Sequence, residues 1–413
     1  MGRWTDSEIS RGWMLIFSAC SGVVVSAIVL PYYSIGALLV PVTSEFGWSR
    51  AQFQAAILFS SGLGAITAPI VGWLADKYGS RRVALPSLLG LALGFVLAAV
   101  MPGELWVLYL AYAVMAVLGA GTIPVTWTRA ITLNFHQQRG LALGLTLTGT
   151  GICAALIPQF TVWLVDTQGW RVAYAGLAIL PVLVVGPIVW FGFRPREGLG
   201  QANDPAGSDP QLGFTLAQAA VQGRFWILLL SIFVVYMAAS GIGPNLIPNM
   251  TDSGFSATQA ASVQSTFGLA IVVGRVCVGY LVDRFWAPGV AAAAMCLPVV
   301  GCLLLAQPDS LSISLVAAFL IGFAAGAELD LMSFLTARYF GVAHYAKIYA
   351  MMYMALAVCS GTAPMLFASV FDLTASYAVS FYIASGLFGL GAIIVLCMGK
   401  YPAAFAISGG KSE

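Results

Sequence analysis

The sequence predicts an all-α membrane protein with twelve transmembrane helices in two six-helix halves. Composition, the spacing of apolar segments and an internal repeat each support this fold class. Of the 413 residues, 60% are hydrophobic and only 8% are charged. Because soluble domains carry about 25% charged residues, most of the surface of this chain must face lipid. Such a chain leaves no room for a soluble catalytic domain.

Twelve apolar segments follow one another along the chain. They lie near residues 12–41, 51–75, 83–101, 106–134, 141–165 and 172–193, and then near 225–250, 257–282, 288–306, 311–338, 346–370 and 376–399. A membrane span needs about 20 apolar residues, so each segment can cross the bilayer once. The longest polar stretch separates the two sets. We therefore predict an N-terminal six-helix bundle (1–194), a cytoplasmic linker (195–223) and a C-terminal six-helix bundle (224–413).

The distribution of basic residues predicts the orientation of the chain. Of 18 lysines and arginines, 14 fall on the side of the chain ends, Arg50 and Arg171 fall on the opposite side, and Arg129 and Arg275 lie inside spans. Cytoplasmic loops carry the excess of positive charge in membrane proteins, so we predict that both termini are cytoplasmic. We expect a multi-pass protein of the plasma membrane, in particular a bacterial inner membrane, whose first apolar run is a span and not a cleaved signal peptide.

The two sets of segments repeat each other. The second segment ends in Gly72-Trp-Leu-Ala-Asp76 and the eighth in Gly279-Tyr-Leu-Val-Asp283, and the two motifs are offset by 207 positions (72 to 279). The same offset aligns Trp48-Ser49 with Phe255-Ser256 and Gln52 with Gln259. Two copies of the same topology, related by an axis along the membrane normal, are one repeat pattern of secondary transporters.

The stretch from Gly72 to Val83 resembles the loop signature of the major facilitator superfamily, and this resemblance implies the major facilitator fold. We expect Gly72 to allow close helix approach and Gly79 to form a tight turn. We expect Asp76, with Arg81 and Arg82, to form an ionic latch that favours one transport conformation. Asp283 is the counterpart of Asp76 in the second half. The alternative is a short basic loop that only follows the positive-inside rule.

Three stretches, the last of them within the loop signature, resemble the branch of monocarboxylate porters and oxalate exchangers with their bacterial relatives. They are Tyr33-Ser-Ile-Gly-Ala-Leu, Glu45-Phe-Gly-Trp-Ser-Arg50 and Asp76-Lys-Tyr-Gly-Ser-Arg-Arg82. The acidic residue and glycine typical of the first span of monocarboxylate porters are absent. The resemblance implies that Arg275 in the eighth span binds a substrate carboxylate. The acid that precedes this arginine by one turn in some members is here Ile271.

Four ionisable residues lie inside spans: Arg129, Arg275, Glu328 and Asp330. Each costs about 2.5–3.5 kcal/mol at a helix centre, so such residues usually act in function or form pairs. Arg275 lies eight residues before Asp283, about 12 Å along a helix. Its guanidinium can bind a carboxylate through two parallel bonds, or it can pair with an acid such as Glu328. Arg129 lies near the end of the fourth span. Its side chain either extends to the membrane surface or acts in gating; the alternative is that it contacts substrate.

Glu328 and Asp330 are two residues apart, so their side chains point about 200° apart on a helix. They cannot line the same cavity. We expect Glu328, which follows Gly326 and Ala327, to occupy the buried face and to carry a proton. A carboxyl group in apolar surroundings favours its neutral form. The alternative is a structural ion pair of Glu328 with Arg275 or Arg129.

Helix-breaking residues mark the first, fourth and seventh spans, which line the cavity in this superfamily. They are Pro31, Pro124, Gly241, Gly243, Pro244 and Pro248. The aromatic and amide residues around them predict a cavity for an organic anion; they are Tyr33, Trp127, Tyr236, Asn245 and Asn249. The alternative is that the aromatic residues form interfacial belts.

These observations predict a secondary transporter that imports an organic anion, a monocarboxylate or an aromatic carboxylate, together with protons by alternating access. The alternatives are anion exchange, export of an amphipathic compound, or a non-transporting sensor. We find no nucleotide-binding motif, no nucleophile elbow and no cluster among the two histidines and seven cysteines. We therefore predict no enzyme, cofactor, metal or nucleic-acid partner. We expect a monomer in the bilayer.

Overall fold

The computed structural model describes residues 8–135, 138–194, 213–341 and 344–402. Helices account for nearly all of the described chain, and the β-pairing found in it is one isolated bridge between Gly213 and Gly341. Two loops therefore meet at this bridge, and the rest of the described fold is determined by the packing of helices.

The first half contains six membrane-crossing units, α1 to α6, several of which are interrupted. Their bounds are α1, Glu8–Val24 and Leu30–Phe46; α2, Arg50–Gln54 and Ala56–Tyr78; α3, Ser80–Ala99; α4, Leu105–Leu118, the 3₁₀ turn Ala120–Thr122 and Pro124–Asn134; α5, Arg139–Leu147 and Gly149–Gln168; and α6, Trp170–Ile179, the π-helical Leu180–Val185 and Gly186–Gly192.

The second half contains six longer units, α7 to α12, after a short linker helix. The linker helix is Leu216–Ala220, followed by α7, Gly223–Asp252; α8, Ala257–Val282; α9, Ala287–Ala306; α10, Leu311–Phe340; α11, Tyr345–Thr374; and α12, Ala378–Leu396. Residues 195–212 of the predicted linker lie outside the described residues. Its described part is tied to α10 because Phe214 N–H donates to Phe340 O at 2.9 Å.

The prediction of twelve spans is confirmed. In the described chain, ten helices are individually long and apolar enough to cross a bilayer, and α1 and α4 complete the set as broken helices. Helix α1 breaks at residues 25–29, just before Pro31, and α4 breaks at the 3₁₀ turn before Pro124. Proline is tolerated at the start of a helix because its missing N–H has no partner there.

The predicted break in α7 is wrong. The helix runs without interruption from Gly223 to Asp252, with Pro244 and Pro248 inside it. Each proline leaves the carbonyl four residues earlier without its helical donor, and in this protein other helices donate instead. Tyr32 Oη–H donates to Ser240 O at 2.7 Å, and the Gln54 side-chain amide approaches Pro244 O at 3.4 Å. Both donors come from the first half of the chain.

An even number of spans places the two described chain ends on one side of the molecule, which we call the terminus side; the opposite side is the far side. Buried apolar residues form two large clusters, one in the first half and one in the second half that also includes Ala37, Ala154 and Val162 of the first. Many large apolar side chains, among them Trp106 and Ile393, point outward. This arrangement, with cores inside each half and apolar surface outside, is the one that a lipid solvent requires.

The internal repeat is visible in helix capping. Ser49 accepts from Gln52 N–H at the start of α2, and Ser256 accepts from Gln259 N–H at the start of α8, each with the reciprocal side-chain bond of a capping box. The 207-residue offset therefore aligns structurally equivalent positions. Gly79 has φ of 89° and separates α2 from α3, as expected for the tight turn.

Candidate binding site between the two halves

Glycines bring α8 and α10 unusually close together. A Cβ atom added to Gly274 would lie 1.9 Å from Phe323 O, and one added to Gly326 would lie 2.1 Å from Ile271 O. Only glycine allows the two backbones to approach this closely. The contact fixes α10 against the face of α8 that carries Arg275.

Arg275 is almost completely buried, with 8% of its surface exposed, yet it is poorly paired. Its Nε lies 3.4 Å from Gly326 O and 3.4 Å from Asp330 Oδ2. A charge-assisted hydrogen bond is usually 2.7–2.9 Å long, so this pair is loose. The Nη1 atom is buried without a hydrogen-bond partner. The partner of Arg275 in this structure is therefore Asp330, and the predicted pair with Glu328 is absent from the described residues.

Glu328 faces the interior of the second half. It lines a small cavity of about 20 Å³ with Ser231, Tyr236, Met295 and other residues of α7, α9, α10 and α12. This volume is enough for one water molecule. The side chain of Asp330 is 41% exposed. The two acids thus occupy different environments, in agreement with their helical spacing.

Two of the predicted aromatic residues lie within electrostatic range of Arg275. Tyr33 lies within electrostatic range of Arg275 and Glu328, and Tyr236 within range of Arg275 and both acids. The hydroxyl of Tyr236 is buried without a partner. The structure therefore places three of the predicted residues within range of Arg275, namely Tyr33, Tyr236 and Asp330, and Glu328 within range of the two tyrosines.

Three predicted substrate-binding residues are held elsewhere. Trp127 is fully buried inside the first half, where its indole donates to Thr122 O at 2.7 Å. Asn245 donates to Gly241 O at 2.8 Å and accepts from Gln54. Asn249 donates to Leu305 O at 3.1 Å. In this conformation their side-chain hydrogen bonds therefore go to other groups of the protein.

The ionic latch has a different partner from the one predicted. Asp76 pairs with Arg129, with 2.7 Å between the carboxylate and Nε. Arg81 instead donates to Trp190 O. In this conformation Arg129 therefore belongs to the rim of the terminus side.

Two other residues of the loop motif have weaker roles than expected. A Cβ atom at Gly72 would meet nothing within 4 Å, so the expected close approach is absent from this conformation. Asp283 is exposed at the end of α8, and it takes part in none of the ion pairs found in the described ranges. The second copy of the motif therefore lacks the latch.

An ionic cluster closes the far side between the halves. Arg50 pairs with Asp252 through two bonds, one of them 2.9 Å long, and its guanidinium lies 3.7 Å from the ring centroid of Phe371. The carboxylate of Asp372 accepts from the backbone N–H groups of Arg50 and Ala51 at 3.1 and 2.9 Å. An acid at the start of α2 also complements the helix dipole.

The sequence analysis did not single out several aromatic and polar residues of the second half. Tyr345, Tyr349 and Tyr353 stack along α11, with successive centroid distances of 5.3 and 6.5 Å. Their spacing of four residues was a visible signal of one helix face. Gln264 in α8 is buried, and neither of its amide atoms has a partner. It was detectable as a lone amide within an apolar span.

The fold and site define a membrane transporter, and comparison with known proteins identifies its family. The chain belongs to the Major Facilitator Superfamily, whose sequence model matches residues 13–233 and 228–406. These proteins are transporters and not enzymes, as the sequence predicted. The predicted superfamily and twelve-helix architecture are thus confirmed.

Individual relatives add detail. Monocarboxylate transporter 13 of Rattus norvegicus is 25% identical over 394 residues, covering 93% of this chain and 89% of that protein. Monocarboxylate transporter 14 of Homo sapiens is 29% identical over 204 residues, but the match spans only 49% of this chain and 39% of that protein. A bacterial homolog of the human lysosomal transporter Spinster, solved inward-facing and unoccupied, has a TM-score of 0.70 at 18% identity, covering 95% of this chain and 99% of that one.

The far-side cluster leads to a first prediction. Arg50→Gln should separate the two halves on the far side, because it removes an ion pair that joins them. Arg171→Gln is the matched control, since Arg171 pairs with Glu45 within the first half at 2.7 Å. A partly exposed pair contributes up to about 1 kcal/mol, so the open population should rise roughly fivefold.

The measurement is a distance distribution between spin labels at Asp166→Cys and Asp309→Cys, in a background in which the native cysteines are replaced. The expected result is a longer-distance population in Arg50→Gln alone. Equal distributions in the two variants would show that the cluster does not hold the far side closed.

Proposed function

We propose that this transporter carries an organic monocarboxylate, preferably an aromatic one, together with a proton by alternating access of the two halves, in the direction of uptake. The observation that carries the proposal is Arg275, a buried cation whose Nη1 lacks a partner. A guanidinium has five N–H donors, and among the described residues this one makes only two long contacts, both through Nε. A substrate carboxylate would complete its hydrogen bonding.

The charges at the site favour a monoanion. Arg275 is the cation that the structure places beside Asp330 and within range of Tyr33 and Tyr236. Arg129, the other arginine inside a span, is paired with Asp76. A second carboxylate on the substrate would therefore lack a partner at considerable cost. Dicarboxylates should bind more weakly than monocarboxylates.

The surrounding side chains favour an aromatic substrate. Tyr33 lies within electrostatic range of Arg275, and Tyr236 and Tyr349 lie within range of Asp330. Tyrosine rings provide flat apolar surface with preferred stacking geometries. The relationship to monocarboxylate transporters agrees with a carboxylate at Arg275.

Proton coupling follows from keeping this site neutral. In the empty site the charge of Arg275 is balanced by Asp330. When a substrate carboxylate binds the guanidinium of Arg275 in place of Asp330, Asp330 becomes an uncompensated negative charge unless it binds a proton. One anion and one proton then leave the net charge around the buried Arg275 unchanged. Glu328, enclosed in its separate cavity, is the alternative proton carrier.

The binding site is tested by substitution of Arg275. Arg275→Ala should weaken benzoate binding at least roughly 30-fold, because losing one partner of a buried charge pair costs about 2–5 kcal/mol. Arg275→Lys should restore binding only in part, since an ammonium cannot form the paired contact. Arg284→Ala is the matched control, because Arg284 lies beyond α8, over the ring of Tyr280. Ligand-induced thermal shift of the purified protein, with phthalate and benzamide for comparison, measures these differences.

A folded Arg275→Ala protein that binds benzoate like the unsubstituted protein would contradict the site. A purely structural pair predicts that Arg275→Ala misfolds and that the double change with Asp330→Ala restores folding. If benzamide stabilises the protein as well as benzoate does, the substrate class is wrong.

The coupling residue is tested by transport. In proteoliposomes, Asp330→Asn should abolish accumulation of an aromatic monocarboxylate driven by a proton gradient while retaining exchange of labelled for unlabelled substrate. Glu328→Gln should keep gradient-driven accumulation. The reverse pattern would assign the proton to Glu328. If substrate accumulation by the unsubstituted protein is independent of the proton gradient, this result would favour the exchange or export alternatives.

A further inference from the structure

An apolar groove runs along the lipid-facing surface between α3 and α6 on the terminus side. Its volume is about 500 Å³, and its lining includes Leu85, Leu89, Val182, Gly186 and Phe191. The α6 part coincides with the π-helical segment Leu180–Val185 and the residues after it. Such π-helical bulges are rare and are frequent at functional sites.

The dimensions of the groove match one leaflet of the bilayer. From Val182 to Phe191 it extends nine residues along α6, about 13 Å, and half of the hydrocarbon core is about 15 Å thick. Gly186 leaves it open, because an added Cβ atom would contact only Pro181 O, at 3.4 Å. An acyl chain that enters from the terminus side fits this depth.

Two arginines stand at the mouth of the groove. Arg81 and Arg82 lie one helical turn before Leu85 and Pro86, on the same faces of α3 that line it. Arg81 donates to the backbone oxygen of Trp190, and its guanidinium lies 5.3 Å from the centroid of that ring. Its Nε is buried without a partner.

No acidic residue of the described ranges forms an ion pair with this mouth. Neither arginine takes part in the ion pairs of the described ranges, and the nearby carboxylate of Asp76 is occupied by Arg129. Guanidinium groups bind phosphate through paired hydrogen bonds, and basic residues at the membrane surface attract anionic lipids. We propose that this groove binds a phospholipid with an anionic headgroup, whose acyl chain lies between α3 and α6 and whose phosphate contacts Arg81 and Arg82.

The test is native mass spectrometry of the purified full chain titrated with phosphatidylglycerol or phosphatidylcholine. Phosphatidylglycerol should bind the unsubstituted protein more tightly. Arg81→Gln combined with Arg82→Gln should weaken this binding roughly 25-fold, about fivefold for each arginine. Gly186→Phe should fill the groove and remove the tight adduct.

Gly386→Phe is the matched control. It makes the same change on an exposed face of α12 where an added Cβ atom meets nothing within 4 Å, and it should leave the adduct intact. Leu89→Trp fills the groove from α3 if Gly186→Phe does not fold. Equal affinity for the two lipids, or an adduct that persists in both groove-filling variants, would overturn the proposal.

Discussion

The structure depends on two backbone carbonyls of α7 that prolines leave without helical donors. Pro244 frees Ser240 O and Pro248 frees Pro244 O, and side chains of the first half approach both. In an apolar medium an unpaired carbonyl costs several kilocalories per mole, so α1 and α2 must stay close to α7 while these bonds persist. Gly36 and Gly243 permit that approach, because an added Cβ atom would lie 2.6 Å from Pro244 O or 2.9 Å from the Tyr32 ring. The Arg50 cluster adds an ionic layer on the same side. The far side is consequently closed.

A second constraint acts at Arg275. The glycine contacts of α8 and α10 place a guanidinium in a nearly dry position and give it one acid at a distance longer than a good ion pair. Such a pair is weak as a stabilising element, because desolvation offsets much of the attraction. The same weakness leaves the cation available to an anionic substrate. Exchange of Asp330 for a substrate carboxylate connects our proposals for binding and for proton coupling.

Much of this could be predicted from the sequence, and the failures have physical reasons. Hydropathy and the repeat of Gly72–Asp76 predicted the twelve spans, because every span must be apolar and long enough. The unbroken α7 was missed, since a proline breaks a helix only when no other group compensates the freed carbonyl. Helical spacing correctly separated Glu328 from Asp330 but could not decide which of them faces Arg275. That choice depends on how α10 is rotated against α8, a property of packing between distant segments. The pairing of Asp76 with Arg129, and not with Arg81, likewise depends on packing between distant segments.

The bond from Tyr32 to Ser240 O joins the two halves directly, and amide hydrogen exchange can test its contribution. Tyr32→Phe removes this donor between the halves, whereas Tyr109→Phe removes a similar bond, to Gln52 O at 2.9 Å, within the first half. A lost hydrogen bond contributes about 1 kcal/mol, so we expect Tyr32→Phe to accelerate exchange about fivefold in the far-side ends of α1 and α7. Tyr109→Phe should leave these segments unchanged. Unchanged exchange in Tyr32→Phe would contradict the claim that proline-freed carbonyls hold the two halves together.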